Sequence, residues 1–133
     1  MKLTRASSYA LHAVAYMAAQ KDNNPVASHK IAKIRHIPER FLLKVLKPLV
    51  SARVLLSVKG PNGGYRLARP ASEISMLEIV EAVDGPIRGL APLSHDETDG
   101  PLNHKLEQIC KQTAEAIKKQ LEKVRISDLI SKR

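Results

Sequence analysis

Over the first fifty residues, apolar positions recur at three- and four-residue spacing in three separate runs. In the first, Thr4 stands as a candidate N-cap, and Tyr9, Ala10, Ala13, Val14 and Met17 mark one helical face. Its many alanines allow close approach of neighbouring helices, and Lys21-Asp22-Asn23-Asn24-Pro25 ends it with turn-favouring residues. The second run is short: Ser28 is placed to cap a helix from His29 to about Arg35, with Ile31 and Ile34 expected to face inward. The third opens at Pro38, which suits a first helical turn because its missing N–H is not needed there. It predicts an apolar stripe of Phe41, Leu42, Val45, Leu46 and Leu49, with Glu39, Arg40, Lys44 and Lys47 on the other faces. Pro48 falls inside this helix, where it removes a backbone hydrogen bond and crowds the Lys44 carbonyl, so a kink or an irregular last turn is expected.

The period then changes. Val54, Leu56 and Val58 alternate with Leu55, Ser57 and Lys59; after Gly60-Pro61-Asn62-Gly63-Gly64, Tyr65 and Leu67 alternate with Arg66 and Ala68. Period-two runs on either side of a Pro-Asn-Gly-Gly turn predict a β-hairpin. Ser75-Met76-Leu77-Glu78 has the form of a capping box, with Ile74 and Ile79 placed as a hydrophobic staple, and a short helix should run to about Val83 and close near Gly85. Residues 85–101 hold three Gly, three Pro, three acids and one His, show no periodicity, and read as a flexible loop. Beyond them Leu102, Leu106, Ile109, Cys110, Thr113, Ile117, Leu121 and Val124 form one stripe of a long helix. Glu107, Lys111, Glu115, Lys118 and Glu122 line its opposite side. Such a terminal stripe either folds back on its own domain or pairs with a second chain.

Two short helices, the second amphipathic and basic, followed by a hairpin, give the order of a winged helix-turn-helix. The expected class is therefore mainly α with a small β-hairpin: a winged helix-turn-helix domain at 1–84, a loop at 85–101, and a long dimerisation helix and tail at 102–133.

Charge sharpens this picture. Residues 1–70 carry thirteen Lys/Arg against two Asp/Glu, a balance of +11, whereas residues 71–133 carry nine against eleven, a balance of −2. All of the net +9 thus sits in the first half, as in a polyanion-binding module joined to a near-neutral one. The core must be aliphatic, since the 133 residues include no Trp, one Phe and three Tyr. A single cysteine, Cys110, excludes an internal disulfide framework and a Cys-rich metal site, and fits a reducing compartment. Lys2 and Arg5 before YALHAVAYMAA loosely imitate a secretory signal. That run is Ala-rich, contains His12 and is too short to span a bilayer, so it reads as a buried helix of a cytoplasmic protein without a membrane partner.

Catalytic signals are weak. Gly60–Gly64 lacks the spacing of a nucleotide P-loop, no dinucleotide fingerprint occurs, and no Ser, His and Asp fall in a nucleophile arrangement, so an enzyme is not expected. His95, Asp96, Glu97, Asp99 and His104 could supply N/O metal ligands, against the simpler reading of a solvated acidic loop. Cys110 reads as a small hydrophobe of the helix seam. Nucleic-acid binding accounts for more of the chain. Arg40, Lys44 and Lys47 fall where base edges and phosphates lie in a major groove, and Lys59 and Asn62 fall at a hairpin tip that can reach the adjacent backbone or minor groove.

Ile37-Pro38-Glu39-Arg40-Phe41-Leu42, Leu46 with Leu49, and SVKGPNGGYRLAR resemble the Rrf-type winged-helix transcriptional regulators, the family of IscR, NsrR and CymR. MKLTRASSYALHAVAYMA is similar to that family's opening helix and ISMLEIVEAVDG to the segment after its wing, so the resemblance covers nearly the whole chain. It implies a cytoplasmic homodimer binding palindromic promoter sites in double-stranded DNA, with Lys59 matching the basic wing residue that enters the minor groove; the role expected is that of a repressor. The candidate DNA-contacting set is Ser28, His29 and Lys30; Pro38, Glu39, Arg40, Phe41, Lys44 and Lys47; and Ser57, Lys59, Asn62 and Gly63. The candidate dimerisation set is Leu106, Ile109, Cys110, Thr113, Ile117, Leu121 and Val124.

Two departures qualify the resemblance. Cluster-binding members carry three cysteines between the helix after the wing and the start of the long helix. Here GPIRGLAPLSHDETDGPLNH has none, His104 falls at the place of the last, and Cys110 lies further along. An iron–sulfur cofactor is therefore not expected. Arg53 stands where the family usually has glycine at a helix end; a positive φ there would strain Arg53 unless the turn is rebuilt. Two other readings stay open: a DNA-binding regulator that senses a metal ion or small molecule through residues 85–104 with His95 and His104, and a protein-interaction adaptor using only the C-terminal helix.

Overall fold

A computed structural model describes residues 1–91 and 100–131. Helix α1 (Arg5–Ala18) starts at Thr4, whose hydroxyl oxygen accepts the Ser7 N–H at 3.0 Å, and it buries Ser7, Ala10, Leu11, Ala13, Val14 and Met17. Helix α2 (Ser28–Arg35) is capped by Ala27 without a side-chain bond, one residue before the expected cap. It ends at His36, which adopts the left-handed conformation at φ 56°, and the Ile37 N–H returns to the Ala32 carbonyl at 2.9 Å. Helix α3 (Glu39–Ser51) runs through Pro48 and buries Leu42, Val45, Leu46 and Leu49.

Two residues expected inside are outside. Ile34 is 45% and Phe41 49% exposed. Each sits at the flank of its helical stripe, and the remaining positions (Ile31 on α2; Leu42, Val45, Leu46 and Leu49 on α3) already fill the shared core.

Strands β1 (Leu55–Val58) and β2 (Gly64–Leu67) pair antiparallel, with Leu55 opposite Leu67 and Val58 opposite Gly64. Val54, Leu55 and Leu67 are buried while Leu56 is 42% exposed, so the inward face of β1 is the one carrying Leu55. The hairpin is not held by its own ladder alone. Val26, in the link between α1 and α2, exchanges both backbone bonds with Tyr65 at 2.9 Å, a third rung contributed from 39 positions away. Gly64, at φ +150°, lies so close to the Val26 backbone that a Cβ would overlap its carbonyl.

A short 3₁₀ turn (Ala71–Glu73) leads into α4 (Met76–Asp84). The capping box forms as expected: Ser75 Oγ accepts the Glu78 N–H at 3.1 Å, and Glu78 Oε2 accepts the Ser75 N–H at 2.9 Å. Gly85 closes the helix at φ 86°. The long helix α5 (Gly100–Lys123) starts two residues before Leu102, and α6 (Ile126–Ile130) follows. The chain then returns to the first core. Met76 donates to the Val124 carbonyl at 2.8 Å, Ile126 donates to that of Ile74 at 2.9 Å, and the Ile126 side chain is fully buried. None of the helices is long and apolar enough to cross a membrane among the described residues.

Candidate nucleic-acid interface

On α3 the buried side is Leu42, Val45, Leu46 and Leu49, so the opposite side is fixed by helical geometry. It carries Arg40, Lys44 and Lys47, with Glu39 and Leu43 on its flank, and all five are exposed. Lys44 Nζ also lies 5.6 Å from the centroid of the Phe41 ring, which holds that exposed aromatic against the helix surface. The start of α2 is brought beside the start of α3: the Ser28 hydroxyl donates to Glu39 Oε1 at 3.3 Å. His29 and Lys30 project from the same first turn into solvent. Here Ser28 links two helices of the motif instead of capping its own.

The tip of the hairpin is closed by the Gly63 N–H donating to the Gly60 carbonyl at 3.0 Å. Ser57, Lys59, Gly60, Pro61 and Asn62 are exposed, and Gly63 is half-buried. The wing is thus a short two-stranded lever pinned at Leu55, Leu67 and Val26, presenting Lys59 and Asn62 at its free end. Its far end is tied by Arg69, whose guanidinium donates to the Arg53 carbonyl (3.3 Å), the Glu73 carbonyl (2.9 Å) and Glu78 Oε1 (2.6 Å). Partial burial pushes the Glu78 carboxyl up, but the Arg69 bond and charge and the Ser75 bonds outweigh it and hold the group below its ordinary range. Arg53 does adopt the left-handed conformation, at φ 62°. The turn keeps the geometry that favours glycine and carries an arginine in it.

Ion pairing separates structural cations from free ones. Among the described residues the ion pairs are Arg69 with Glu78 and Lys118 with Glu115. Lys30, Arg40, Lys44, Lys47 and Lys59 enter neither, so their charges face solvent uncompensated. Sequence reasoning missed Val26 as a wing anchor and Leu43 as an exposed member of the α3 stripe. A β-branched residue straight after Pro25 was the available hint for the first; the i+4 spacing from Glu39 was the hint for the second.

On α5, Leu102, Leu106 and Ile109 are 55%, 41% and 58% exposed, and Leu90, in the segment after α4, is 76% exposed. Cys110, Ile117 and Val124 are half-buried, Thr113 is exposed, and Leu121 is already buried within its own chain. Residues 87–90 lie along α5 and line with it a groove of about 260 Å³ that includes Cys110. Gly89 touches the helix so closely that a Cβ would overlap the Cys110 backbone. His104 is exposed on α5, and His95, Asp96, Glu97 and Asp99 lie outside the described residues. Among the described residues no three His, Cys, Asp or Glu gather as a metal site.

Element order, the wing and the basic second helix together define a winged helix-turn-helix protein with an added long helix. A family model described as "Iron-dependent Transcriptional regulator", that of Rrf2, matches residues 3–132, and the chain belongs to this family. Protein aau3 of Rhizobium meliloti is 35% identical over 102 residues, covering 77% of this chain and 66% of its own. A Mycobacterium tuberculosis relative, whose name places it among HTH-type transcriptional regulators, is 33% identical over 87 residues, 65% of this chain and 54% of its own. The chain therefore spans between about half and two-thirds of these relatives' lengths. The fold matches that of CymR, the global cysteine regulator of B. subtilis, with a TM-score of 0.76 at 23% identity over 98% of this chain and 96% of that one. It also matches T. potens IscR, with a TM-score of 0.73 at 22% identity over 98% and 86%.

The family description names iron. A cluster held by three or four thiolates needs ligands that this chain does not have, because Cys110 is its one cysteine. That thiol is half-buried on α5, against the segment that carries Gly89. The residues present do not fit a thiolate-held cluster within one chain.

Proposed function

We propose that this protein is a sequence-specific double-stranded DNA-binding transcriptional regulator, a cytoplasmic homodimeric repressor that works without an iron–sulfur cluster. The observation that carries the reading is the α3 stripe: Arg40, Lys44 and Lys47 stand exposed and outside any ion pair on a helix whose other side is locked into the core. A row of uncompensated cations on a rigid helix is repelled by itself and stabilised by a polyanion. Glu39 is the one carboxylate of the stripe, and the Ser28 bond holds it at the α2 end.

In this reading α3 lies in the major groove, α2 sets its angle through Ser28, and His29 and Lys30 meet the phosphate backbone at the α2 start. Lys59 and Asn62 reach the neighbouring backbone or minor groove from the wing. Residues 1–84 form the DNA-binding unit, 85–101 the loop, and 102–133 the dimerisation element and tail. Leu102, Leu106 and Ile109 form an apolar row on α5 that its own chain leaves exposed, which supports pairing with a second copy and hence two-fold operators.

Selection of bound duplexes from random DNA by the intact protein tests this. The expected result is a motif with two-fold symmetry; recovery of no enriched sequence would contradict it. A second reading, in which residues 85–104 admit a small effector or metal ion, is supported by the groove where Ile87 to Leu90 meet α5 beside Cys110. Stoichiometric metal in purified protein would favour it.

A further inference from the structure

The exposed stripe of α3 contains one side chain that can neither hydrogen-bond nor carry charge. Leu43 is 43% exposed, whereas Leu42, Val45, Leu46 and Leu49 of the same helix are buried. Along the helix surface its neighbours are Glu39 at i−4, Arg40 at i−3 and Lys47 at i+4, with Lys44 next in sequence. It is an aliphatic patch bordered by Arg40, Lys47 and Glu39 along the exposed side and by the buried Leu46, at i+3, on the core side. Phe41, the other exposed apolar residue of α3, lies about 160° away around the helix and is occupied by the Lys44 ammonium.

The flanking cations select a polyanion and disfavour an apolar protein surface, which would have to desolvate them. Within a major groove, base edges offer donors, acceptors and only one apolar group, the C5-methyl of thymine. We propose that Leu43 is a specificity-determining residue that packs on a thymine C5-methyl in each half-site. Around it, Arg40, Lys44 and Lys47 bind phosphates and guanine edges. This rests on the DNA-binding reading above and assigns one base of the site to one side chain.

The test uses the duplex selected by the intact protein, with deoxyuridine replacing thymidine one position at a time. The exchange removes a methyl group and keeps Watson–Crick pairing. At one position in each half-site, affinity should fall about fourfold, the value of one buried methyl group. Leu43→Ala should bind the thymine duplex correspondingly more weakly and show no further loss on the uracil duplex. Specific binding that is equal for thymine and uracil at every position overturns the Leu43 assignment and leaves α3 as the DNA reader. A uracil effect that persists in full in Leu43→Ala assigns the methyl to another side chain and overturns it too. Failure to bind any duplex specifically overturns the DNA-binding reading along with it. The uracil series is read on the unaltered protein, so it decides even if the variant folds poorly.

Discussion

Removing the Asp84 carboxylate should loosen the joint between the first helix and the rest of the DNA-binding unit. Asp84, the last residue of α4, accepts the Ser7 hydroxyl at 2.5 Å and shares the single Thr4 hydroxyl proton between its two oxygens at 2.9 and 2.8 Å. Thr4 is also the N-cap of α1, so one carboxylate orients the cap and sits at the positive end of the helix. Ser7 is fully buried. In Asp84→Ala its hydroxyl loses its partner, a loss of about 1–3 kcal/mol for a buried group left unsatisfied. Asp84 itself is exposed and water can partly replace it, which places the expectation near the middle, about 2 kcal/mol. For a chain of this length that corresponds to a melting temperature lower by about 6 °C. The assay is thermal unfolding at fixed protein concentration, run on Asp84→Ala, Ser7→Ala and the double variant. Removing both partners leaves no buried hydroxyl unsatisfied, since the exposed Thr4 hydroxyl turns to water, so the double variant should lose about 1 kcal/mol less than the sum of the singles. Strict additivity, or an Asp84→Ala protein as stable as the parent, would refute the reasoning.

Three further predictions concern the wing, its anchor and the long helix. Gly64→Ala places a Cβ into the Val26 carbonyl and should lower stability by about 2–3 kcal/mol, read by chemical denaturation; an unchanged midpoint would mean the third rung does not hold the hairpin. Glu78 has its pKa lowered in the folded state, so its contribution is present above the ordinary carboxylate range and is lost as pH falls through the lowered value. The stability advantage of the parent over Glu78→Gln should accordingly be seen at neutral pH and shrink as pH falls below the ordinary carboxylate range; an advantage that grows with acid would contradict it. Ile109→Glu puts a charge in the exposed apolar row of α5 and should give monomers with about tenfold weaker DNA binding or worse, measured by light scattering and titration; a persistent dimer would move the interface elsewhere.

Local signals carried much of this architecture. Thr4, the Ser75–Glu78 box and the Pro-Asn-Gly-Gly turn each act within a few residues, and each appears in the fold as its chemistry requires. The left-handed Arg53 was visible as a conditional through the family resemblance, which places glycine at that helix end. Non-local packing was not visible. Periodicity ranks positions around a helix but does not say how wide a sector its neighbours cover, and so Ile34 and Phe41 were placed inside. The Val26–Tyr65 rung joins residues too far apart in sequence for any turn signal to link them. The return of Ile126 to the core rests on a five-residue helix that is stable only through its tertiary contacts.

For the candidate site, charge segregation confined the cation excess to residues 1–70, because net charge is a property of composition. Which cations stay free is a matter of geometry. Arg69, equal to Lys59 in the sequence, is consumed by Glu78 and two carbonyls, while Lys59 stays at the wing tip.

Free cations on α3 and the wing should bind the phosphate backbone of DNA. The most direct measurement is the affinity of the intact protein for its selected duplex across a range of salt concentrations. Each neutralised phosphate contributes a slope of about −0.9 in log K against log salt. A steep fall is expected, with a slope made shallower by about one per protomer in Lys59→Ala. An affinity that stays flat from low to moderate salt would contradict it.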